Sequence, residues 1–464
     1  MPETANSPSK ITPTPQVKNR QLSKQYLEYI DFLYIFAQTK KVMEIKDYYP
    51  RCCDKVAEQL LSSAGALLIE GPKWCGKTWV GKHIANSVLY LQDPDKGLGY
   101  RQLADSMPSQ LLKGEKPRLI DEWQEAPVLW DAVRFDVDQT GEWRQYILTG
   151  SSTPYDDAKP RHTGTGRIAR MKLRPMSLWE SRESSGSVSL SELFKCPDEI
   201  SGESDLTIAD IAKIIARGGW PEAVAKRSYS AQIARNYVDA VVNTEISNSD
   251  GVERNPHRVR QLLRSYARNI STMAAQTTIL EDVRANDVTF SDTTMYDYLN
   301  ALRRIFLIED VPAWKPSLRS KTAIRTSDKR QFVDPSIAVA VMRADADSII
   351  DDFKYFGFLF ESLVTRDLRV YSQYVDGDVF HYRDKSELEA DVIIRLHDNR
   401  WAAIEVKLGN KEIEEGAMHL LALQKKVDTE KVGKPSFLMI VTGGQYAYRR
   451  KDGVFVVPIG CLKP

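Results

Sequence analysis

The chain has 464 residues, of which 42% are hydrophobic and 27% charged, and its 64 Lys and Arg residues against 63 Asp and Glu residues give a net charge of +1. This length exceeds what one hydrophobic core usually supports, so we expect two to four domains. The near-neutral balance neither requires nor excludes a nucleic-acid partner, because a basic patch can lie on a neutral protein.

The sequence predicts neither a membrane protein nor a disulfide-stabilised one. Its N-terminus lacks the features of a secretory signal, and no apolar run is long enough to span a bilayer, so we expect a cytoplasmic protein with no membrane partner. The five cysteines are odd in number and form no pair of C-x-x-C motifs. This pattern argues against a disulfide framework and against a zinc site.

The first 44 residues predict a tail and a helix. Up to about Gln21 they are rich in Pro, Ser, Thr, Asn and Lys, which is typical of disorder. Apolar and aromatic residues return from Leu22 to Met43, where we expect an amphipathic helix. A second helix, predicted from Tyr48 to Leu61, leads into the first strand.

A strand, a loop and a helix then follow in the order that a P-loop requires. The run from Ala66 to Ile69 predicts a buried strand. The apolar residues that recur at helical spacing after the loop are Val80, Ile84, Ala85, Val88 and Leu89. The loop matches G-x-x-x-x-G-K-[ST]. We expect ATP to bind along Gly71, Pro72, Lys73, Trp74, Cys75, Gly76, Lys77, Thr78 and Trp79.

Each fixed residue type of this loop suits a polyphosphate. Gly71 and Gly76 let the backbone curl so that its N–H groups face the phosphates. Lys77 brings a positive charge to the β and γ oxygens, and Thr78 offers a hydroxyl to Mg²⁺. The helix that begins here points its positive dipole end at the same phosphates. The sequence therefore predicts a site for ATP and Mg²⁺.

The segment RLIDEWQEAP has the composition and position of a Walker B element. Leu119 and Ile120 predict a strand, and Asp121 and Glu122 stand at its carboxyl end. We expect Asp121 to hold Mg²⁺, usually through water, and Glu122 to orient or deprotonate the attacking water.

The next predicted strand, from Gln145 to Leu148, ends in polar residues. Thr149 or Ser151 is expected to contact the γ-phosphate or the water, although Ser and Gly at a strand end are also ordinary turn residues. The basic segment that follows offers Arg167 and Arg170 as candidate arginine fingers, acting in cis or in trans. The alternative is a solvated basic loop.

The motifs GPKWCGKTW, LIDEWQ, LTGSS, HTGTGR and RPMSLWE occur in this order. Together they resemble the bacterial and archaeal AAA+ family ATPases that carry a restriction-endonuclease-like C-terminal domain, and the resemblance covers nearly everything from about Tyr48 onward. It implies a parallel-sheet nucleoside triphosphatase core, then helices that include a winged-helix-like module, then an α/β domain related to the PD-(D/E)xK nucleases.

Helices dominate the prediction for the middle of the chain. Residues from Ser181 to Gly202 predict an exposed connection with one short helix. The helices predicted after it are Ile208–Arg217, Ala231–Val242, Val259–Asn269, Ile279–Val283 and Thr293–Ile305, with a strand at Leu307–Val311. A helix-turn-helix could form here, but Arg303 and Arg304 lie at the wrong helix end for groove reading, so DNA binding and a packing or protein-contact role both stay open.

The last predicted domain carries a candidate metal site. A helix from Phe356 to Arg369 bears Glu361, and Asp391 begins a strand. Glu405 and Lys407 lie on the same face of a third element, because strand side chains alternate. The resemblance to D…E-x-K implies that Asp391 and Glu405 bind Mg²⁺ on a phosphodiester, with Glu361 as the helical acid and Lys407 assisting the attacking water. Ala390 stands where the motif usually has proline.

We therefore predict an α/β protein with an ATPase domain at 45–190, a helical linker at 191–255, a winged-helix-like module at 256–330 and a nuclease-like domain at 331–464. The expected function is Mg²⁺-dependent ATP hydrolysis coupled to a domain that binds or cleaves nucleic acid, with DNA favoured over RNA.

The alternative is a nucleotide-regulated switch whose C-terminal domain docks a partner. Self-association and a partner protein both stay open. A small-molecule kinase is disfavoured, because Asp121 and Glu122 suit water activation.

Overall fold

A computed structural model of the chain describes residues 48–151, 164–227, 230–316, 327–427 and 432–464. The tail and helix predicted for residues 1–44 lie outside these ranges, as do Arg161 of the basic segment and the basic residues between 317 and 326. Ile45–Pro464 forms one unit by its internal contacts. In the described part of the chain, no helix combines the length and the apolar character that a bilayer crossing needs.

The first sheet contains β1 (Ala66–Glu70), β2 (Ser87–Tyr90), β3 (Arg118–Asp121), β4 (Tyr146–Gly150) and β5 (Ile168–Lys172). All of its pairings are parallel, in the order β2-β3-β4-β1-β5. The helices around it are α1 (Cys53–Leu61), α2 (Lys77–Ile84), α3 (Gly97–Ser106), α4 (Pro108–Leu111) and α5 (Val128–Thr140). The predicted parallel-sheet α/β core is confirmed.

Side chains alternate between the two faces of this sheet, as its pleat requires. Leu67 and Ile69 pack with Val80 of α2 on one face. Leu68 packs with Trp130 of α5 on the other. Because both faces are covered, the central strands β1 and β4 are buried along almost their whole length.

The helix after the P-loop is shorter than its sequence predicts. It ends at Ile84, Ala85 is extended, and residues 87–90 form β2. Val88 pairs with Leu119 of β3, so tertiary pairing decides the conformation of this stretch. A short apolar run fits a helix face and a strand equally well, which explains the difference.

The middle of the chain is helical, as predicted. It contains α6 (Leu190–Lys195), α7 (Ile208–Arg217), α8 (Pro221–Ala225), α9 (Gln232–Ala240), α10 (Ile246–Asn248), α11 (Pro256–Arg268), α12 (Gln276–Arg284) and α13 (Asp292–Arg304), with a π-helical turn at Val241–Glu245. Ser291 caps α13 by accepting a hydrogen bond from the Thr294 N–H. The strand predicted at Leu307–Val311 is present only as two isolated antiparallel bridges, Ile308 to Phe332 and Val311 to Lys329.

The connection from Ser181 to Gly202 contains the predicted short helix as α6, but parts of it are buried rather than exposed. Within it lie the short strands β6 (Val188–Ser189) and β7 (Gly202–Glu203). Leu190 and Leu193 are buried in the main core. The stretch is rich in serine and has few apolar residues, but several of these, including Val188 and Phe194, are buried. The overall composition did not indicate this packing.

The last part of the chain contains α14 (Pro335–Met342), α15 (Ala346–Asp351), α16 (Phe353–Tyr374), α17 (Ile413–Lys426), β8 (Gly377–Arg383), β9 (Glu389–Leu396), β10 (Trp401–Lys407), β11 (Leu438–Thr442), β12 (Tyr446–Arg449), β13 (Phe455–Pro458) and β14 (Leu462–Lys463). Its mixed sheet has the order β7-β12-β13-β11-β10-β9-β8. β7 pairs with β12, and β14 pairs with β6. This sheet therefore includes residues from well before the predicted boundary at 331.

Candidate active site

The P-loop lies at the carboxyl edge of the parallel sheet, directly after β1. A Cβ on Gly71 would come within 2.1 Å of the Leu173 carbonyl oxygen, so only glycine fits there. Gly76 has a φ of +100° and begins α2 as its N-cap. Glycine adopts this left-handed conformation without steric cost. The two glycines of the motif thus allow the loop to curl between β1 and α2.

Lys77 lies inside the curl of this loop. Its side chain is buried, and its Nζ donates hydrogen bonds to the carbonyl oxygens of Gly71 at 3.0 Å and Pro72 at 2.8 Å. The first turn of α2 carries no acidic residue. The ammonium group and the positive end of the helix therefore act in the same small volume, where an anion would be stabilised.

Asp121 joins three separate segments at the sheet edge. Its Oδ1 accepts hydrogen bonds from the hydroxyls of Thr78 at 2.8 Å and Thr149 at 2.7 Å. Burial raises the pKa of Asp121, while the hydrogen bonds from the two threonines oppose that shift. A hydroxyl and a carboxylate side by side are the hard oxygen ligands that Mg²⁺ takes in nucleotide sites. The residues present fit the predicted ion.

Glu122 follows with a φ of +55°, a left-handed conformation that is uncommon for glutamate. Its N–H donates to the Thr149 hydroxyl at 3.1 Å. Its Oε2 accepts a hydrogen bond from the Ser151 hydroxyl at 3.2 Å and another from the Gln124 amide. The backbone twist and these two donors together fix the carboxylate beside Asp121.

The two alternatives for the end of β4 both lie close to the acids, but their hydroxyls donate to different carboxylates. Thr149 bonds to Asp121, whereas Ser151 bonds to Glu122. Gln124 is a functional candidate that sequence reasoning missed. Its only signal is its place in the LIDEWQ motif.

Arg167 and Arg170 are not brought to this cluster. Arg167 immediately precedes β5, where its carbonyl oxygen accepts from the Ala66 N–H at the amino edge of the sheet. Its guanidinium pairs with Asp138 at 2.5 Å. Arg170 pairs with Glu70 at 3.5 Å, and both arginine side chains are about half exposed. Neither partner belongs to the P-loop or to the Asp121–Glu122 pair, so a finger role within one chain has no support from this geometry.

Arg51 contacts the back of the P-loop and was not predicted. Its Nη1 donates to the Cys75 carbonyl oxygen at 3.0 Å, and its Nη2 donates to the Arg174 carbonyl oxygen at 2.7 Å. Its Nε lies 3.0 Å from Glu180 Oε1, and both side chains are almost fully buried. Arg51 therefore connects the P-loop to the segment that follows β5.

A cavity of about 320 Å³ adjoins the site on the side of the helices. Lys73, Gln124 and Ser151 line it from the P-loop and the sheet edge, and Glu245 lines it from the π-helical turn. Lys73 Nζ lies 2.7 Å from Glu245 Oε2. The ring centroid of Trp74 lies 5.5 Å from that of Tyr237, which belongs to α9. Trp79 is half exposed, with Lys82 above its ring.

The four residues predicted for the C-terminal site also converge. Asp391 Oδ2 accepts a hydrogen bond from the Val406 N–H at 2.9 Å, which joins β9 to β10. Lys407 Nζ lies 3.0 Å from Glu405 Oε2. Burial and the charge of Asp391 raise the pKa of Glu405 to about 8. Glu361 reaches the same cluster from α16 through a further residue.

That residue is Lys329, which lies in the basic stretch Lys315–Arg330, for which the sequence leaves contact with a phosphate backbone and solvation both open. Its Nζ donates to Glu361 Oε1 at 2.6 Å and to Asp391 Oδ1 at 3.2 Å. Although burial opposes ionisation, Glu361 and Asp391 raise the pKa of this lysine above its ordinary value. In the described ranges, no group of three or more His, Cys, Asp or Glu side chains has the arrangement of a metal site. The cluster as arranged does not fit Mg²⁺.

Comparison with known proteins divides the chain into three matched segments. Residues 63–181 match the family model of an AAA domain. Residues 208–348 match a domain of unknown function (DUF8612), and residues 356–462 match another domain of unknown function (DUF4143). No curated protein matches the chain.

Two solved structures illustrate the likeness. The Walker-type ATPase PABY2304 of Pyrococcus abyssi is 12% identical, with 66% of this chain and 99% of that chain covered at a TM-score of 0.40. The RuvB Holliday junction branch migration motor of Thermotoga maritima is 13% identical, with 56% of this chain and 89% of that chain covered at a TM-score of 0.25. With the P-loop geometry and the family match over residues 63–181, the N-terminal core is an AAA-type P-loop ATPase domain.

Proposed function

We propose that the chain hydrolyses ATP at the P-loop with Mg²⁺ as cofactor. The observation that carries this proposal is the hydrogen-bonded cluster in which Thr78, Thr149 and Glu122 surround Asp121 at the carboxyl edge of the sheet. It would combine ion-binding and water-orienting groups within one hydrogen-bonded network, directly beside the phosphate-binding loop that supplies Thr78. Nucleotide hydrolysis needs all three kinds of group.

Phosphate binding would fall to the loop between Gly71 and Thr78. Lys77 would donate to the β and γ oxygens, and the N–H groups at the start of α2 would add to its charge. Thr78 and Asp121 would hold Mg²⁺. When bound, the ion neutralises charge on the phosphate oxygens.

Glu122 would orient the attacking water and accept its proton. Ser151 and Gln124 both donate to its Oε2, so the other carboxylate oxygen is left to face the water. Thr149 holds the backbone N–H of the same residue. This arrangement resembles a positioned general base, because the hydrogen bonds from Ser151 and Gln124 fix the direction of the Glu122 carboxylate.

Replacement of Glu122 by glutamine tests this assignment. The amide keeps the size and the hydrogen bonds of the side chain but cannot accept a proton, so turnover is expected to fall by about 100-fold or more. ATP affinity, measured with a fluorescent analogue, should change little. The matched control is Glu142→Gln, which removes an acid from the turn before β4 at the opposite edge of the sheet. A Glu122→Gln protein that turns over ATP as fast as the wild type would reject the assignment.

For the C-terminal domain we favour the switch-and-docking alternative over cleavage. Its support is the lysine pairing of Glu361, Asp391 and Glu405 and the tight contact between the ATPase core and α16. Leu178 N–H donates to Asp367 Oδ2 at 2.9 Å, and Trp179 N–H donates to the Tyr371 hydroxyl at 3.2 Å. A nucleic-acid partner, a partner protein and self-association all stay predictions.

A further inference from the structure

We infer that Lys329 is the resident cation of the C-terminal acid cluster, and that Glu361, Asp391 and Glu405 bind no divalent metal ion while this lysine is in place. The inference concerns a site separate from the P-loop and does not depend on ATP hydrolysis.

The ammonium group of Lys329 uses all of its donors within the cluster. An ammonium carries three N–H donors and no acceptor. Their acceptors are Glu361 Oε1 at 2.6 Å, Asp391 Oδ1 at 3.2 Å and the Asp391 carbonyl oxygen at 3.4 Å. Nζ therefore occupies the point where the helical acid and the strand acid converge. A divalent ion bound to the same oxygens at about 2.0–2.1 Å would have to displace it.

Two further carboxylate oxygens of the cluster are also engaged. Asp391 Oδ2 accepts from the Val406 N–H, and Glu405 Oε2 is paired with Lys407. Three carboxyl groups thus face two lysines. Little net charge is left to attract a divalent ion.

Lys329 is held in this position by its own backbone. Its N–H donates to the Val311 carbonyl oxygen and its carbonyl oxygen accepts from the Val311 N–H, each at 2.9 Å. The next residue, Arg330, pairs with Asp310 at 3.1 Å. The Lys329 side chain is only 4% exposed. Withdrawal of the ammonium would leave two buried carboxylates without their cationic partner, which is strongly unfavourable.

The acid cluster therefore holds separate segments of the chain together. Lys329 comes from the segment that precedes α14, Glu361 from α16 and Asp391 from β9. One buried cation therefore connects three parts of the chain that are distant in sequence. In this state the cluster needs no metal for its integrity.

Manganese binding to the full-length chain without nucleotide tests the inference. Mn²⁺ is the probe because its free form is quantified directly by electron paramagnetic resonance and because it takes the same oxygen ligands. The wild type and an Asp391→Asn variant should give the same binding isotherm. Lys329→Met keeps the aliphatic stem but removes the charge. This variant should gain about one Mn²⁺ site per chain, with an affinity at least about tenfold above any Mn²⁺ binding by the wild type.

Two further variants define the outcome. Lys329→Arg keeps the positive charge and should gain no site, and Lys329→Met with Asp391→Asn should lose the gained site. A folded Lys329→Met protein with no gain would overturn the claim that this lysine excludes the ion. If Lys329→Met does not fold, the comparison of wild type with Asp391→Asn or Glu361→Gln decides. A wild-type Mn²⁺ site that either change removes contradicts the inference.

Discussion

At the scale of single residues, Thr149 is the clearest link between the two acids of the ATPase site. Its hydroxyl donates to Asp121 and accepts from the Glu122 N–H, and the residue is fully buried. One hydroxyl therefore sets the relative position of the Asp121 carboxylate and the Glu122 backbone. Thr149 acts through its hydrogen bonds to these two residues, and this role does not depend on a contact with the nucleotide.

Thr149→Val should weaken both folding and catalysis. Valine has the same shape but leaves the Glu122 N–H without its partner, so the free energy of unfolding should fall by about 1–3 kcal/mol. ATP turnover should fall more than ATP affinity, because the positions of the acids change while the P-loop does not. Urea unfolding and phosphate release measure the two effects. Thr149→Ser, which keeps the hydroxyl, is the control, and equal behaviour of the two variants would contradict this role.

The same scale explains what the sequence could predict about the sites. The convergence of Lys77, Thr78, Asp121 and Glu122 was predictable because short motifs mark these residues and because the carboxyl ends of parallel strands meet at one edge of a sheet. Lys329 was missed because it lies 62 positions from Asp391 and no local pattern marks it. A basic residue in a basic stretch has the same local signal whether it is solvated or buried.

At the scale of elements, the segment after β5 connects the P-loop to α16. Arg51 holds the carbonyl oxygens of Cys75 and Arg174. Arg174 in turn pairs with Glu309 at 2.8 Å, and Leu178 bonds to Asp367 of α16. A change in the P-loop conformation therefore has a short, buried route of polar contacts to the C-terminal helix.

A double-mutant cycle on Arg51 and Glu180 tests this connection. Arg51→Met leaves a buried carboxylate unpaired and should lower the free energy of unfolding by about 3–5 kcal/mol. Glu180→Gln in the same chain should recover part of that loss, with a coupling energy of about 1–3 kcal/mol. Denaturant unfolding measures each variant. Strict additivity of the two changes would contradict a direct buried pair.

An exposed pair provides the control for that cycle. Lys195 and Glu192 lie 3.0 Å apart on α6, and both side chains are two-thirds exposed. Because solvent screens such pairs, Lys195→Met should change the free energy of unfolding by no more than about 0.5 kcal/mol.

Element boundaries were predictable where local signals were strong. Helix α7 has the predicted bounds, because Thr207 and Asp210 form a capping box at its start and a glycine follows its end. The end of α2 was not predictable, because β2 forms only through its pairing with β3. The bridges around Val311 and Lys329 likewise depend on contacts between distant segments.

At the scale of the whole molecule, the mixed C-terminal sheet is held at both ends by earlier parts of the chain. β7 pairs with β12 at one edge, and Ala313 forms a bridge to His381 of β8 at the other. The final strand β14 pairs with β6. Segments that follow the ATPase core in the sequence are thus joined by backbone pairing to the C-terminal part of the chain.

The central claim is ATP hydrolysis at the P-loop, and phosphate release by wild type and Lys77→Ala tests it most directly. Both proteins would be assayed with ATP and Mg²⁺, alone and with DNA or RNA. The lengths of the DNA or RNA would be recorded in the same samples. We expect wild-type turnover, a loss of about 100-fold or more in Lys77→Ala, normal turnover in the exposed-lysine control Lys113→Ala, and unchanged polymer lengths. Equal turnover by wild type and Lys77→Ala would contradict the account.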